Sequence, residues 1–275
     1  MTLVSNMEFY VISPVSDLEP MKLGDRIFAL AHLWVQFPHY RKFILEQKEA
    51  GKFITLDNSA AERALVTEDI LIGICHELMP HEVIAPDVLF DKDTTIANAI
   101  SFRERMIKEG LCNTPVDTLN INIFFCPQGK TKEDWLEAYQ WGINQDWISV
   151  IGFSKIAVPN AWIGDLLWKD DQGIMEARHM AYDYLKEKGM LVKPIHCLGQ
   201  GDPTEFAYYK HPMMRSTDSV YPVFAAVNGI DFNVDHTTRI PTPHSFLETF
   251  DMEDVDMSLV ESNIAFLRKQ CLSHN

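Results

Sequence analysis

The sequence predicts an α/β protein, a (β/α)8 TIM barrel, on three observations. Eight short apolar runs rich in Ile, Val and Phe recur along the 275 residues. Stretches with helical spacing lie between them, and the chain is close to the about 250 residues that eight βα units occupy. Short, continuous apolar runs fit parallel strands covered on both faces. The competing doubly wound sheet would carry a GxGxxG turn after its first strand, and that turn is absent.

In chain order the strand candidates are Phe9–Ser13, Ile27–Leu33, Phe53–Asp57, Glu82–Val88, Asn120–Cys126, Ile148–Phe153, Lys193–Leu198 and Met213–Asp218. The clearest helical stretches are Ala60–Leu78, Thr94–Glu109, Lys132–Gly142 and Gln172–Lys188. In the last, Ile174, Ala177, Ala181, Tyr184 and Leu185 recur at intervals of three and four, and Gly189 stands where a C-cap belongs. The barrel is expected over about residues 8–230. Residues 231–275 read as a C-terminal extension of the same domain, with a Pro-rich segment at Ile240–Pro243 and a helix over Met257–Gln270.

Composition bounds the function. Against 24 basic side chains stand 39 acidic ones, a net charge of −15 that argues against a broad basic coat for nucleic acid. Cys75, Cys112, Cys126, Cys197 and Cys271 are widely spaced with no CxxC, so they read as buried, reduced thiols of an intracellular protein rather than metal ligands. The first residues lack the basic and apolar regions of a signal peptide, and no apolar run approaches the ~20 residues of a membrane helix. A cytoplasmic protein with no membrane partner is expected.

Chemistry in a barrel gathers at the C-terminal strand ends. There the third run ends in Asp57-Asn58-Ser59, the fourth in Asp87, the fifth in Gln128-Gly129, the sixth in Gly152, the seventh in Gly199-Gln200-Gly201 and the eighth in Asp218. Carboxylates with an amide suit a ligand that offers several N–H donors, such as a guanine-like base. Glycines let backbone approach a planar ligand. Two aspartates can divide the work of nucleophile and proton carrier in glycosyl transfer. Any single Asp has a plainer reading as a helix N-cap, since Asp57 and Asp87 each precede a helical stretch.

These segments, in their order, resemble the tRNA-guanine transglycosylase family. Leu56-Asp57-Asn58-Ser59-Ala60 is similar to the family's TDSGG, Ala85-Pro86-Asp87-Val88 to FDE, Cys126-Pro127-Gln128-Gly129 to VQGG, and Val150-Ile151-Gly152-Phe153 to GGL. His196 to Pro203 resembles LMGVGTP, and Thr217-Asp218-Ser219-Val220-Tyr221-Pro222 resembles FDCVLP. The resemblance implies Asp218 as nucleophile and Asp57 as general acid/base. It further implies Asp87, Gln128, Gly129 and Gly152, with Asn58 and Ser59, as the base-binding set. The family's CxCxxC zinc site is missing: beyond Asp218 stand only Cys271, His236, His244 and His274, so no metal and no cofactor are expected. The shorter chain and the LDN, PDV and RSTDS segments look most like the compact phage branch that inserts 7-deazaguanine into DNA. DNA and a free 7-deazaguanine base are therefore the expected partners, with tRNA as runner-up. A barrel glycoside hydrolase and a non-catalytic 7-deazaguanine-binding relative are the rival classes.

Other residues have plainer readings. Asp235 is an alternative nucleophile, because Gly229-Ile230-Asp231 resembles the family's GVD. Lys130, Lys155, Arg215 and Arg239 lie near strand ends and could meet phosphate or simply face solvent. His196 reads as a hydrogen-bonded core residue. Trp141, Trp147, Trp162 and Trp168 read as packing rather than a stacking platform.

Overall fold

The computed structural model describes residues 7–60, 66–112, 120–164 and 171–272. Its strands are β1 (Glu8–Val11), β2 (Ile27–Leu30), β3 (Ile54–Asp57), β4 (Glu82–Ile84), β5 (Asn122–Phe125), β6 (Ile148–Ser154), β7 (Ile195–Leu198) and β8 (Met214–Ser219). All ladders are parallel, in the order β1-β8-β7-β6-β5-β4-β3-β2. A parallel bridge between Tyr10 and Arg26 brings β1 to the start of β2, so the sheet curls into a nearly closed (β/α)8 barrel.

Helices α1 (Ala31–Gln36) and α2 (Pro38–Glu49) follow β2, α3 (Glu68–Leu78) follows β3, α4 (Lys92–Lys108) follows β4, and α5 (Lys132–Ile143) follows β5. Between β6 and β7 run α6 (Ala157–Ile163) and α7 (Asp171–Glu187). After β8 come α8 (Tyr221–Val227), α9 (Phe246–Thr249) and α10 (Met257–Leu272).

Three elements differ from their sequence expectation, each for a local reason. β4 ends at Ile84 rather than Val88, ahead of Pro86, which has no N–H for the ladder. The run over Ile27–Leu33 is half strand and half helix: β2 stops at Leu30, and Ala31, His32 and Leu33 stay buried as the first turn of α1. The helix expected from Ala60 begins at Glu68, where the Thr67 hydroxyl accepts the Ile70 N–H at 3.3 Å. Residues 61–65 lie outside the described residues.

Alternation along each strand separates an outer face from the lumen. Outward, Phe153 packs edge-on to Trp135 of α5. Inward, the His196 ring lies parallel to Phe28 with centroids 5.4 Å apart, and Tyr10 and Phe124 close around it. Because β2 and β7 are not neighbours, this stack crosses the lumen. At the N-terminal end of the strands Arg215 grips both oxygens of Glu82 at 2.5 and 3.0 Å, and Thr55 donates to the same carboxylate at 3.2 Å. The bottom of the barrel is thus filled, and open chemistry is confined to the top.

The C-terminal extension covers the barrel wall near β1. α10 packs on α8 and on β1. The buried Asn263 amide donates to the carbonyl of Ile230 at 2.8 Å and accepts the Phe232 N–H at 2.9 Å. No helix among the described residues is long and apolar enough to cross a membrane.

Candidate functional site

Asp218 is the penultimate residue of β8 and is almost wholly buried. Its Oδ1 accepts two hydrogen bonds: from His196 Nε2 at 2.9 Å and from the Gly199 backbone N–H at 3.0 Å. Burial pushes the His196 pKa down, against the opposing pull of the Asp218 carboxylate. The imidazole is therefore neutral, and facing a carboxylate it carries its proton on Nε2. Nδ1 is then an acceptor, 2.8 Å from Ser216 Oγ. Ser216 Oγ in turn accepts from Arg215 Nε at 3.1 Å. A continuous relay runs from the Glu82–Arg215 pair through Ser216 and His196 to Asp218.

The second cluster caps β3, β4 and β5. The Ser59 N–H donates to Asp57 Oδ2 at 2.9 Å, a turn that fixes the carboxylate at the strand end. Ser59 holds φ of +60°, and its hydroxyl lies 2.8 Å from His32 Nδ1 and accepts the His32 N–H at 3.1 Å. His32 Nε2 stands 3.5 Å from Glu248 of α9. Asp87 is held by two amides: Asn58 Nδ2 donates to Oδ1 at 2.7 Å and Gln128 Nε2 to Oδ2 at 2.5 Å. Gln128 is fully buried and uses its own oxygen to accept the Phe90 N–H at 3.1 Å. Cys126 lies beneath, where burial and then the negative charges of Asp87 and Asp57 push its thiol pKa well up, so it stays protonated.

Beside this cluster opens a cavity of about 290 Å³, lined by Asn58 and Asp87 with Val66, Leu71, Pro86 and Leu89 as apolar walls. Small-ligand clefts begin near ~300 Å³, with a few convergent polar groups on apolar walls. The cavity has that composition. Neither Asp57 nor Asp87 is a helix N-cap: Thr67 caps α3 and Asp91 caps α4, accepting the Thr94 N–H at 3.0 Å. The capping explanation of these two carboxylates is thereby removed.

No protein-family model and no curated protein matches the chain.

The structure sorts the remaining candidates. Asp57, Asn58, Asp87 and Gln128 form one group, and Asp218 stands apart on β8. In strand order β1 and β2 lie between the two along one side of the barrel. Ser59 serves by its backbone and by its bond to His32. Gly129 is required by packing: a Cβ there would overlap the Trp135 backbone nitrogen and lie 2.7 Å from its Cα. Gly152 faces the lumen, where a Cβ would come within 2.8 Å of the Phe124 ring and 3.3 Å of Cys126 Sγ. Arg215 lies at the barrel bottom, paired with Glu82, and is not at the mouth. Asp235 lies in the extension, where Thr238 and Thr237 bond its carboxylate and hold its pKa low; it closes a turn. Arg239 pairs with Asp202 of the loop after β7 at 2.7 Å. Lys155 is exposed, and its stem lies over Gly199. Trp141, Trp147 and Trp162 pack against aromatic neighbours, while Trp168 lies outside the described residues. Cys271 is buried in α10 and His236 stacks on Phe266; His274 lies outside the described residues. Among the described residues no group of three His, Cys, Asp or Glu side chains could hold a metal ion.

His196 is the hydrogen-bonded core residue the sequence predicts, and its partner is the strand-end carboxylate itself. A signal for that partner was available. Two-residue alternation puts His196 on the lumen face, and its ladder partner is Gly152, itself a strand-end candidate.

Proposed function

We propose that this chain is a base-exchange transglycosylase that replaces a guanine of DNA by a 7-deazaguanine base through a covalent Asp218–sugar intermediate. The observation that carries the reading is the division of labour at the barrel mouth. One carboxylate, Asp218, is fixed on a single oxygen by His196 and Gly199, leaving Oδ2 as the attacking atom. Opposite it, Asp87 and Asn58 line a cavity of about 290 Å³, with Gln128 bonded to Asp87 behind it and Asp57 at the neighbouring strand end.

In this mechanism Asp218 Oδ2 forms a bond to C1′ as the bond from C1′ to guanine breaks. Asp57 gives a proton to the departing base. The incoming base, losing its ring N–H proton to Asp57, then attacks C1′ from the opposite face and Asp218 leaves as carboxylate. Asp87, held by the amides of Asn58 and Gln128, meets the N–H edge of the base. The target nucleotide must be unstacked first, at a cost of a few kcal/mol.

The test is incubation of the protein with radiolabelled guanine or 7-cyano-7-deazaguanine and either duplex DNA or tRNA. Label is expected in DNA and lost in Asp218→Ala. Label in tRNA alone would move the acceptor, and sugar hydrolysis without any base uptake would favour a glycoside hydrolase.

A further inference from the structure

Burying a guanidinium costs several kcal/mol even after the protein relaxes around it. Arg178, in the middle of α7, has no exposed surface. Its Nη1 donates to the buried Glu205 at 3.2 Å, and the Tyr209 hydroxyl donates to the same Glu205 oxygen at 2.9 Å. Its Nη2 donates to two consecutive carbonyls, Leu198 at 2.8 Å and Gly199 at 3.0 Å. Its Nε finds no partner among the described residues. An incompletely satisfied buried ion pair is a poor device for stability alone, which directs attention to what it holds.

It holds the turn after β7. The carbonyls of Leu198 and Gly199 point back to the guanidinium, while the Gly199 N–H points forward to Asp218 Oδ1 at 3.0 Å. Gly199 adopts φ of +67°, a left-handed conformation that leaves the turn little choice of residue. The Gln200 N–H continues the same turn by bonding the Asp218 carbonyl at 2.8 Å. The positive charge of Arg178 acts on Glu205 first and reaches Asp218 as well.

We propose that Arg178 is a positioning residue for Asp218, fixing the Leu198–Gly199 turn so that the Gly199 N–H and the charge behind it stabilise Asp218 as the departing carboxylate. The proposal rests on the transglycosylase reading. Formation of the intermediate consumes the carboxylate charge. Its resolution restores that charge: a ring nitrogen of the incoming base bonds to C1′, the C1′–O bond breaks with its electron pair returning to Asp218, and the base N–H proton passes to Asp57. Support for a carboxylate therefore speeds the second step and not the first.

The experiment compares the wild-type chain with the charge-neutral pair Arg178→Met/Glu205→Gln and with Arg178→Lys, which retains the charge but not the fork. Three quantities are read: kcat and KM for the incoming base, the fraction of protein trapped on DNA as a covalent adduct, and hydrogen exchange at the Gly199 amide. The double variant is expected to lower kcat by ~10²-fold, as loss of a preorganised donor does. Its KM should stay within about twofold and its adduct fraction should rise, while Arg178→Lys recovers part of kcat. Wild-type kcat and adduct level in a folded double variant, or in Arg178→Lys if the double variant does not fold, overturns the proposal. If the wild-type chain forms no adduct at all, the transglycosylase reading fails separately. Gly199 exchange then decides the positioning role: faster exchange in the variants supports it, and unchanged exchange overturns it.

Discussion

The two sides of the barrel mouth hold their carboxylates by different means. Around β7 and β8, Asp218 is fixed from below by side chains that belong to strands, in a relay that descends through His196 and Ser216 to Arg215 and Glu82. Around β3 to β5, Asp57 and Asp87 are fixed sideways, by the next turn of chain and by the amides of Asn58 and Gln128. Two non-glycine residues on that side, Ser59 and Phe90, hold positive φ values of 60° and 65°. Such conformations cost on the order of 1–3 kcal/mol each and persist only where the surroundings over-determine them. The strand side thus provides a rigid anchor, and the loop side a shaped pocket assembled under strain. A nucleophile needs the first and a base-reading cleft the second.

This contrast can be broken at either side. The largest effect is expected from Asp218→Ala, which removes the attacking oxygen and should lower exchange by about 10³-fold or more, with no covalent adduct on denaturing gels. Asp57→Ala should also block turnover while polynucleotide binding, read by filter retention, persists. His196→Phe keeps the aromatic stack but removes the donor to Asp218; a fall of ~10²-fold in kcat at unchanged KM is expected. On the loop side Gln128→Ala should act instead on recognition, raising KM for the free base by about tenfold, the loss of one hydrogen bond to a charged group. An equal loss of kcat from Gln128→Ala and His196→Phe would erase the distinction between anchor and pocket.

Smaller effects concern stability and binding. Burial holds His196 and His179 below their ordinary value of 6.5 in the folded chain. The unfolded chain therefore takes up protons that the folded chain refuses as pH falls past that value. Stability should be full near pH 7.5 and decline towards pH 5.5, which the melting temperature measures, with His196→Phe flattening the decline. Smallest of all, Lys155→Ala should reduce the salt dependence of DNA binding by about one ion, the signature of a single phosphate contact.

The barrel itself was legible in the sequence because apolar strand runs and amphipathic helices repeat with different periods. Strand ends were legible to within three residues except at β4. That strand ends at Ile84, four residues before the expected Val88, because Pro86 has no N–H to give to the ladder. On the loop side Asp57, Asn58, Asp87 and Gln128 could be picked out because each stands at or just past the end of an apolar run. Yet only the Asp57–Ser59 turn is local, and Asn58 and Gln128 reach Asp87 from 29 and 41 residues away. The support of Asp218 was not legible. His196 and Arg178 act on it from separate segments, and Arg215 meets Glu82 from 133 residues away. Pairings of that reach are fixed by closure of the barrel, and no local pattern announces them. Arg215, the second residue of β8, lies at the floor rather than near a strand's C-terminal end, where it would have met phosphate.

That floor has a kinetic consequence. With Arg215, Glu82 and Thr55 below and the Phe28, Tyr10, Phe124 and His196 rings above them, the lumen offers no passage. Under the proposed exchange, outgoing guanine and incoming 7-deazaguanine use one doorway in turn, with the sugar held on Asp218 between the two visits. Double-reciprocal plots for polymer and free base should be parallel lines, and added guanine should compete with the incoming base for the waiting intermediate.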